Sequence, residues 1–225
     1  MRVAAIADAH LGGPGGEAQP LVDQLARLPA EGAGRLLLLG DLFQAWIGFG
    51  QYETPGIRLF LAAIANLRRQ GVRVDYVEGN RDFFLADGPY RDCFDSVGSE
   101  CAFTAGGVRY LAVHGDGLND RDRQYLVWRW LSKSSPVKMV IRGVPRRIVG
   151  RFVDAAERRL SRTNFKHKSA IPEAAIRRYG IARLAEGHDV LLLGHFHEPR
   201  SFVVAGGEVR LFDAWFRSRR VEWLG

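Results

Sequence analysis

The sequence is poor in thiols, poor in methionine and without any long apolar run. Cys93 and Cys101 are its two cysteines, and their spacing suits neither a metal nor a redox pair. A disulfide framework is excluded, and so sparse a thiol content in 225 residues points to a reducing compartment with buried, inert thiols. No stretch of about 18 apolar residues occurs, so no membrane-spanning helix is expected. The N-terminal Val3–Ala7 run is too short for a leader and meets a carboxylate at Asp8; it reads as a buried first strand. Internal repeats and low-complexity tracts are absent, which excludes solenoid and linker architectures. The expected location is the cytoplasm.

Charge is present in excess but in one place. Residues 119–168 hold 14 Lys+Arg against 4 Asp+Glu, a local +10 in a chain of net charge +7, so the remainder carries 18 against 21, or −3. A patch of this kind attracts nucleic acid, anionic lipid or phosphorylated substrate, and charge alone does not choose among them. The same segment is apolar and aromatic, with Tyr125, Val127, Trp128, Trp130 and Leu131, then Val137, Met139, Val140 and Ile141. Helix is expected here, broken near Pro136 and Pro145. Two readings follow: two helices packed on the core, or a cap for a substrate with an acyl part and a phosphate part. Its aromatics sit at helical spacing and form no stacking groove, so nucleic acid is not the expected partner.

Elsewhere short apolar runs recur: Arg2–Ala7, Arg35–Leu39, Val72–Val77, Val108–Val113 and Val190–Leu193. Helical patterns at Leu21–Leu28 and Ile57–Arg69 lie between them, and Ser201–Ala205, Val209–Phe212 and Val221–Leu224 end the chain as further strands. Continuous apolar strands alternating with helices predict an α/β sandwich, a single domain over 1–225 with a helical cap at about 119–170.

Each of the five runs is followed by polar residues able to hold a metal. They are Asp8-Ala9-His10, Gly40-Asp41, Gly79-Asn80-Arg81-Asp82, His114-Gly115-Asp116 and Gly194-His195-Phe196-His197. Loops at the carboxyl ends of strands converge in open α/β sheets. Carboxylates, an amide oxygen and imidazoles form a mixed oxygen and nitrogen set, suited to divalent Mn, Fe or Zn and poorer for Ca or Mg.

This series resembles the calcineurin-like metallophosphoesterases from Asp8 to His197. The resemblance implies two mixed sheets flanked by helices, and two divalent metal ions, manganese foremost. One would be held by Asp8, His10, Asp41 and His197; the second by Asp41, as the bridge, with Asn80, His114 and His195. Asn80, Arg81, His114 and His195 would then be catalytic, with a metal-bridging hydroxide as nucleophile. Within that superfamily, Gly40–Gly48, Gly79–Phe83 and His114–Leu118 followed by Asp122 and Tyr125 resemble the UDP-2,3-diacylglucosamine pyrophosphatases. That likeness implies a UDP-linked lipid substrate, peripheral contact with the anionic inner membrane surface, and substrate contacts from Arg81, Asp122, Tyr125, Ser161, Asn164 and Lys168. Another phosphodiester, nucleotide or lipid diphosphate is the alternative.

Arg81 adds a chemical reason. Many relatives carry His there, which can protonate an alkoxide; arginine cannot give up its proton at neutral pH, and a departing phosphate needs a fixed cation instead. A surface ion pair of Arg81 with Asp82 is the alternative. Departures from the pattern are Glu78 for a usual His, Phe196 and Glu198 for Thr and Arg, Trp215-Phe216 for Trp-His, and no Asp-Val after Ile171. They fall outside the seven metal-binding positions.

Overall fold

Alternation within the strands decides how the layers stack. In the computed structural model, which describes residues 2–12, 16–119, 122–145 and 171–225, strand β1 (Arg2–Ile6) turns Val3 and Ala5 to one side and Ala4 and Ile6 to the other. Strand β2 (Ala33–Leu38) divides in the same way, Leu37 against Leu36 and Leu38. Both faces are buried, as a mostly parallel sheet requires.

The first sheet adds β4 (Arg73–Val77), β6 (Ser96–Gly98) and β12 (Glu222–Leu224) in the order β12-β1-β2-β4-β6, parallel except for β12. The second runs β10-β11-β9-β8-β7 from β7 (Glu100–Ala105), β8 (Val108–Val113), β9 (Val190–Leu193), β10 (Arg200–Val204) and β11 (Gly207–Leu211), with antiparallel pairs at both edges. Val3, Ala5, Leu37 and Val77 meet Phe103, Ala112, Leu192 and Phe212 between the sheets. Helices α1 (Gln19–Leu25) and α2 (Pro55–Arg69) cover the outside of the first sheet with Leu21, Leu25, Phe60 and Ile64. Ile176 and Leu184 of the helix Glu173–Ala185 cover the second. The predicted sandwich is therefore observed with four layers. The pattern left unread the alternating edge strand β7, the helix Glu173–Ala185, β6 and the two-residue pair β3 (Trp46–Ile47) and β5 (Asp82–Phe83).

The basic, apolar segment begins with two helices, α3 (Arg123–Ser132) and α4 (Ser135–Gly143). The break falls at Lys133-Ser134 rather than at Pro136, which sits in the first turn of α4, where its missing N–H costs nothing. Val137, Ile141 and Val144 pack on Ile47, Phe49, Tyr52 and Phe84, so α4 is seated on the core. Helix α3 exposes most of its apolar residues, with Trp130 74% accessible.

One buried charge fixes the first sheet. Asp75, fully buried in β4, accepts from Arg35 Nε at 2.6 Å across to β2, from Ser96 Oγ at 2.5 Å across to β6, and from Arg73. Burial pushes its carboxyl up, but the hydrogen bonds from Arg73, Ser96 and Arg35 outweigh that and hold it below the usual range. Asp75→Ala strands the buried Arg35 guanidinium and is expected to cost about 3–5 kcal/mol, read by urea denaturation at neutral pH. A depressed folded pKa stabilises above the unfolded value of about 3.9. The wild-type advantage should therefore fade as pH falls from there through the folded value.

Candidate metal centre

All seven proposed ligands stand on loops leaving the carboxyl ends of parallel strands: Asp8 and His10 after β1, Asp41 after β2, Asn80 after β4, His114 after β8, His195 and His197 after β9. Backbone bonds sew the loops together, Asp8 N to Gly40 O at 3.1 Å and His10 N to Asp41 O at 3.1 Å. Asp8, His10, Asp41, His195 and His197 adopt left-handed φ of 47–65°, uncommon outside glycine and least so for Asp, Asn and His. Gly79 is required by contact: a Cβ there would collide with the Asp41 carboxylate and backbone.

The side chains converge in two groups. His197 Nε2 lies 3.0 Å from Asp8 Oδ1 and 3.3 Å from His10 Nε2. On the other side Asn80 Oδ1 faces His195 Nδ1 at 3.0 Å and His114 Nε2 at 3.3 Å, and His114 Nε2 is 3.5 Å from Asp41 Oδ2. Asp8 joins both groups, since its Oδ2 accepts from His195 N at 2.8 Å. The sets Asp8, His10, His197 and Asp8, Asp41, His114 each bring ligand atoms within 4.8 Å of one another. His114 Nδ1 donates to the Leu39 carbonyl at 2.6 Å, which turns Nε2 into the site.

The electrostatics ask for a cation. Burial, aided by the Arg81 charge against the pull of Asp41, lowers His10 to about 4. Burial and then the charge of His114 lower His195 to about 4. Both are neutral, ligand-competent imidazoles near pH 7. Burial also opposes charge on His114, yet Asp41, Asp8 and Asp116 overcome it and hold its pKa at about 10. Buried carboxylates and ring nitrogens gathered within 3.0–3.5 Å of one another fit divalent metal ions.

The structure gives the residues around this centre bonds that the sequence did not specify. Asp82 is buried, and its Oδ2 accepts from Asp41 N at 2.9 Å and Gly79 N at 2.8 Å, clamping two ligand loops. Among the described residues, Arg81 pairs with Asp41, at 3.6 Å, and not with Asp82. Gln44 fixes the Arg81 guanidinium through its side-chain oxygen at 2.6 Å and its carbonyl at 3.1 Å. Glu78 accepts from the backbone N–H groups of Leu85 and Ala86. Phe216 packs on the rings of His10 and His197 at 5.3 and 5.4 Å. Of the expected substrate contacts, Asp122 caps α3 by accepting from Tyr125 N at 3.0 Å, and the Tyr125 hydroxyl donates to Asp116 at 2.6 Å. Ser161, Asn164 and Lys168 lie outside the described residues.

A two-sheet sandwich with oxygen and imidazole ligands at its strand ends defines a class. The calcineurin-like phosphoesterase family pattern matches residues 1–199, and the chain belongs to that family, whose members are metal-dependent hydrolases. Among curated relatives, a UDP-2,3-diacylglucosamine hydrolase of Ralstonia nicotianae is 28% identical over 93% of this chain and 82% of its own length. Proteins of the same name from Aeromonas salmonicida and Shigella sonnei are 27% and 30% identical. They cover 98% and 76% of this chain, and 89% and 71% of their own lengths.

Proposed function

We propose that this chain hydrolyses the diphosphate of a UDP-linked acylated sugar, releasing UMP and the sugar 1-phosphate. The observation that carries this reading is Arg81, a guanidinium fixed by Gln44 at 2.6 Å beside the Asp41 carboxylate, where a proton donor would serve a monoester better. Relatives named for that substrate support it.

Asp8, His10 and His197 would hold one divalent cation, Asn80, His114 and His195 a second, with Asp41 shared between them. Such a pair lowers the pKa of a water and neutralises phosphoryl oxygens during in-line displacement, with manganese the proposed metal. The chain's own groups do the rest. The Leu39 carbonyl and the Asp82 clamp hold His114 and Asp41 in place before substrate arrives. Arg81 neutralises charge on the departing phosphate, whose second pKa near 6 removes any need for a general acid.

The apolar outer residues of α3 and α4, Val127, Trp130, Leu131, Met139 and Val140, are 47–76% exposed and belong to the segment whose sequence carries the excess positive charge. We place peripheral contact with an anionic membrane, for a cytoplasmic protein at the inner membrane face, on this surface. Trp130→Asp is expected to abolish co-sedimentation with phosphatidylglycerol vesicles while leaving hydrolysis of a soluble ester intact; unchanged sedimentation would reject the surface. The central test is phosphorus NMR of manganese-loaded protein with UDP-2,3-diacylglucosamine. Appearance of UMP supports the reading, whereas hydrolysis of bis-nitrophenyl phosphate without UMP would discard the substrate and keep the phosphoesterase.

A further inference from the structure

Helix α3 is inverted relative to an ordinary surface helix. Its more sheltered residues, Tyr125, Leu126, Arg129, Ser132 and Lys133, recur at the three- and four-residue spacing of one helix face, and most are polar. Val127, Trp128, Trp130 and Leu131 face away and are exposed. Hydrophobic burial therefore does not seat this helix; polar bonds do.

Those bonds run to two places only a residue or two from proposed ligands. The Tyr125 hydroxyl donates to Asp116 Oδ2 at 2.6 Å, and Arg129 Nε donates to the same oxygen at 2.5 Å. Asp116 is 4% exposed and lies two residues beyond His114. At the residue that caps the C-terminus of α3, four beyond Arg129, Lys133 Nζ donates to the Gly79 carbonyl at 2.7 Å, immediately before Asn80. Residues 125, 129 and 133 thus grip, from a single helix face, the two loops whose side chains meet at His114 Nε2 and Asn80 Oδ1, 3.3 Å apart.

We infer that α3 is a strut that sets the spacing of the Asn80 and His114 loops, with Arg129 and Lys133 as positioning residues for the metal position those ligands define. The inference rests on the two-cation reading above. Both bonds are charge-assisted, and loss of Arg129 leaves a buried carboxylate without its cation. The position formed by Asp8, His10 and His197 belongs to other loops and receives no bond from the Tyr125, Arg129 and Lys133 face.

The test is manganese titration of the full chain, followed by calorimetry and by the spin-coupled EPR signal of a manganese pair. Lys133→Met and Arg129→Met are each expected to weaken one of two manganese sites about 10–100-fold and leave the other unchanged. Lys133→Arg should recover most of the loss, and Gln124→Ala, elsewhere on α3, should bind as wild type does. Circular dichroism checks folding, and Lys133→Met decides alone if Arg129→Met does not fold. Two wild-type sites in Lys133→Met, or equal weakening of both, would overturn the strut. A wild-type protein that takes up only one manganese ion would instead overturn the two-cation reading.

Discussion

Asp41→Ala is expected to lower turnover about 10³-fold or more, equivalent to about 4 kcal/mol of lost transition-state stabilisation. Its carboxylate lies 3.5 Å from His114 Nε2 and 3.6 Å from Arg81 Nε, and it accepts from Arg81 N at 2.8 Å. The adjacent Asp82 does not replace it, because its Oδ2 is turned away to bind the Asp41 and Gly79 amides. Neighbouring charges also hold Asp41 well below the usual carboxylate range despite complete burial, so it is ionised at any working pH. Removing it leaves His114 and Arg81 facing each other without their counter-charge. Metal content, measured by elemental analysis after gel filtration, should fall with activity. Near-normal turnover with full metal content would remove Asp41 from the bridging role.

Arg81→Ala should separate two substrates. On a diphosphate the loss is expected at about 10²–10³-fold, the usual effect of deleting one preorganised charge at a developing anion. On bis-nitrophenyl phosphate, whose leaving group is already stable, the loss should stay below about 10-fold. Arg81→Lys should fall between them, since an ammonium keeps the charge but cannot match the planar fork that Gln44 now orients. Equal losses on both substrates would mean that Arg81 only supports Asp41. Steady-state kinetics on the two substrates decide it.

How far the sequence announced this arrangement depends on what kind of bond does each job. The proposed ligands are legible because each stands just beyond an apolar strand, as Asp8 follows Val3–Ala7 and His195 follows Val190–Gly194. Strand ends, unlike helix faces, concentrate side chains from distant stretches of chain at one edge. The Asp82 clamp is not legible: it works on backbone N–H groups, which every residue has, and one of its partners is 41 residues away. Helix α3 misleads for another reason. Its apolar pattern reads as a face to be buried, whereas Asp116 and Gly79 draw the polar face inward. Strand β7 was readable in principle, since Glu100–Ala105 alternates exposed and buried, but its polar half gives it no continuous apolar run.

The left-handed φ of Asp8, His10, Asp41, His195 and His197 reaches beyond the chemistry. Each such residue costs on the order of 1–3 kcal/mol relative to a relaxed backbone, and all five lie in one patch. Selection for activity and selection for a stable chain therefore pull in opposite directions at the same codons. A lineage released from catalysis would gain stability fastest by substituting here, and glycine or asparagine fits this backbone with the least strain. Retired relatives of this fold should then be recognisable by small residues at the old ligand positions, long before their cores drift.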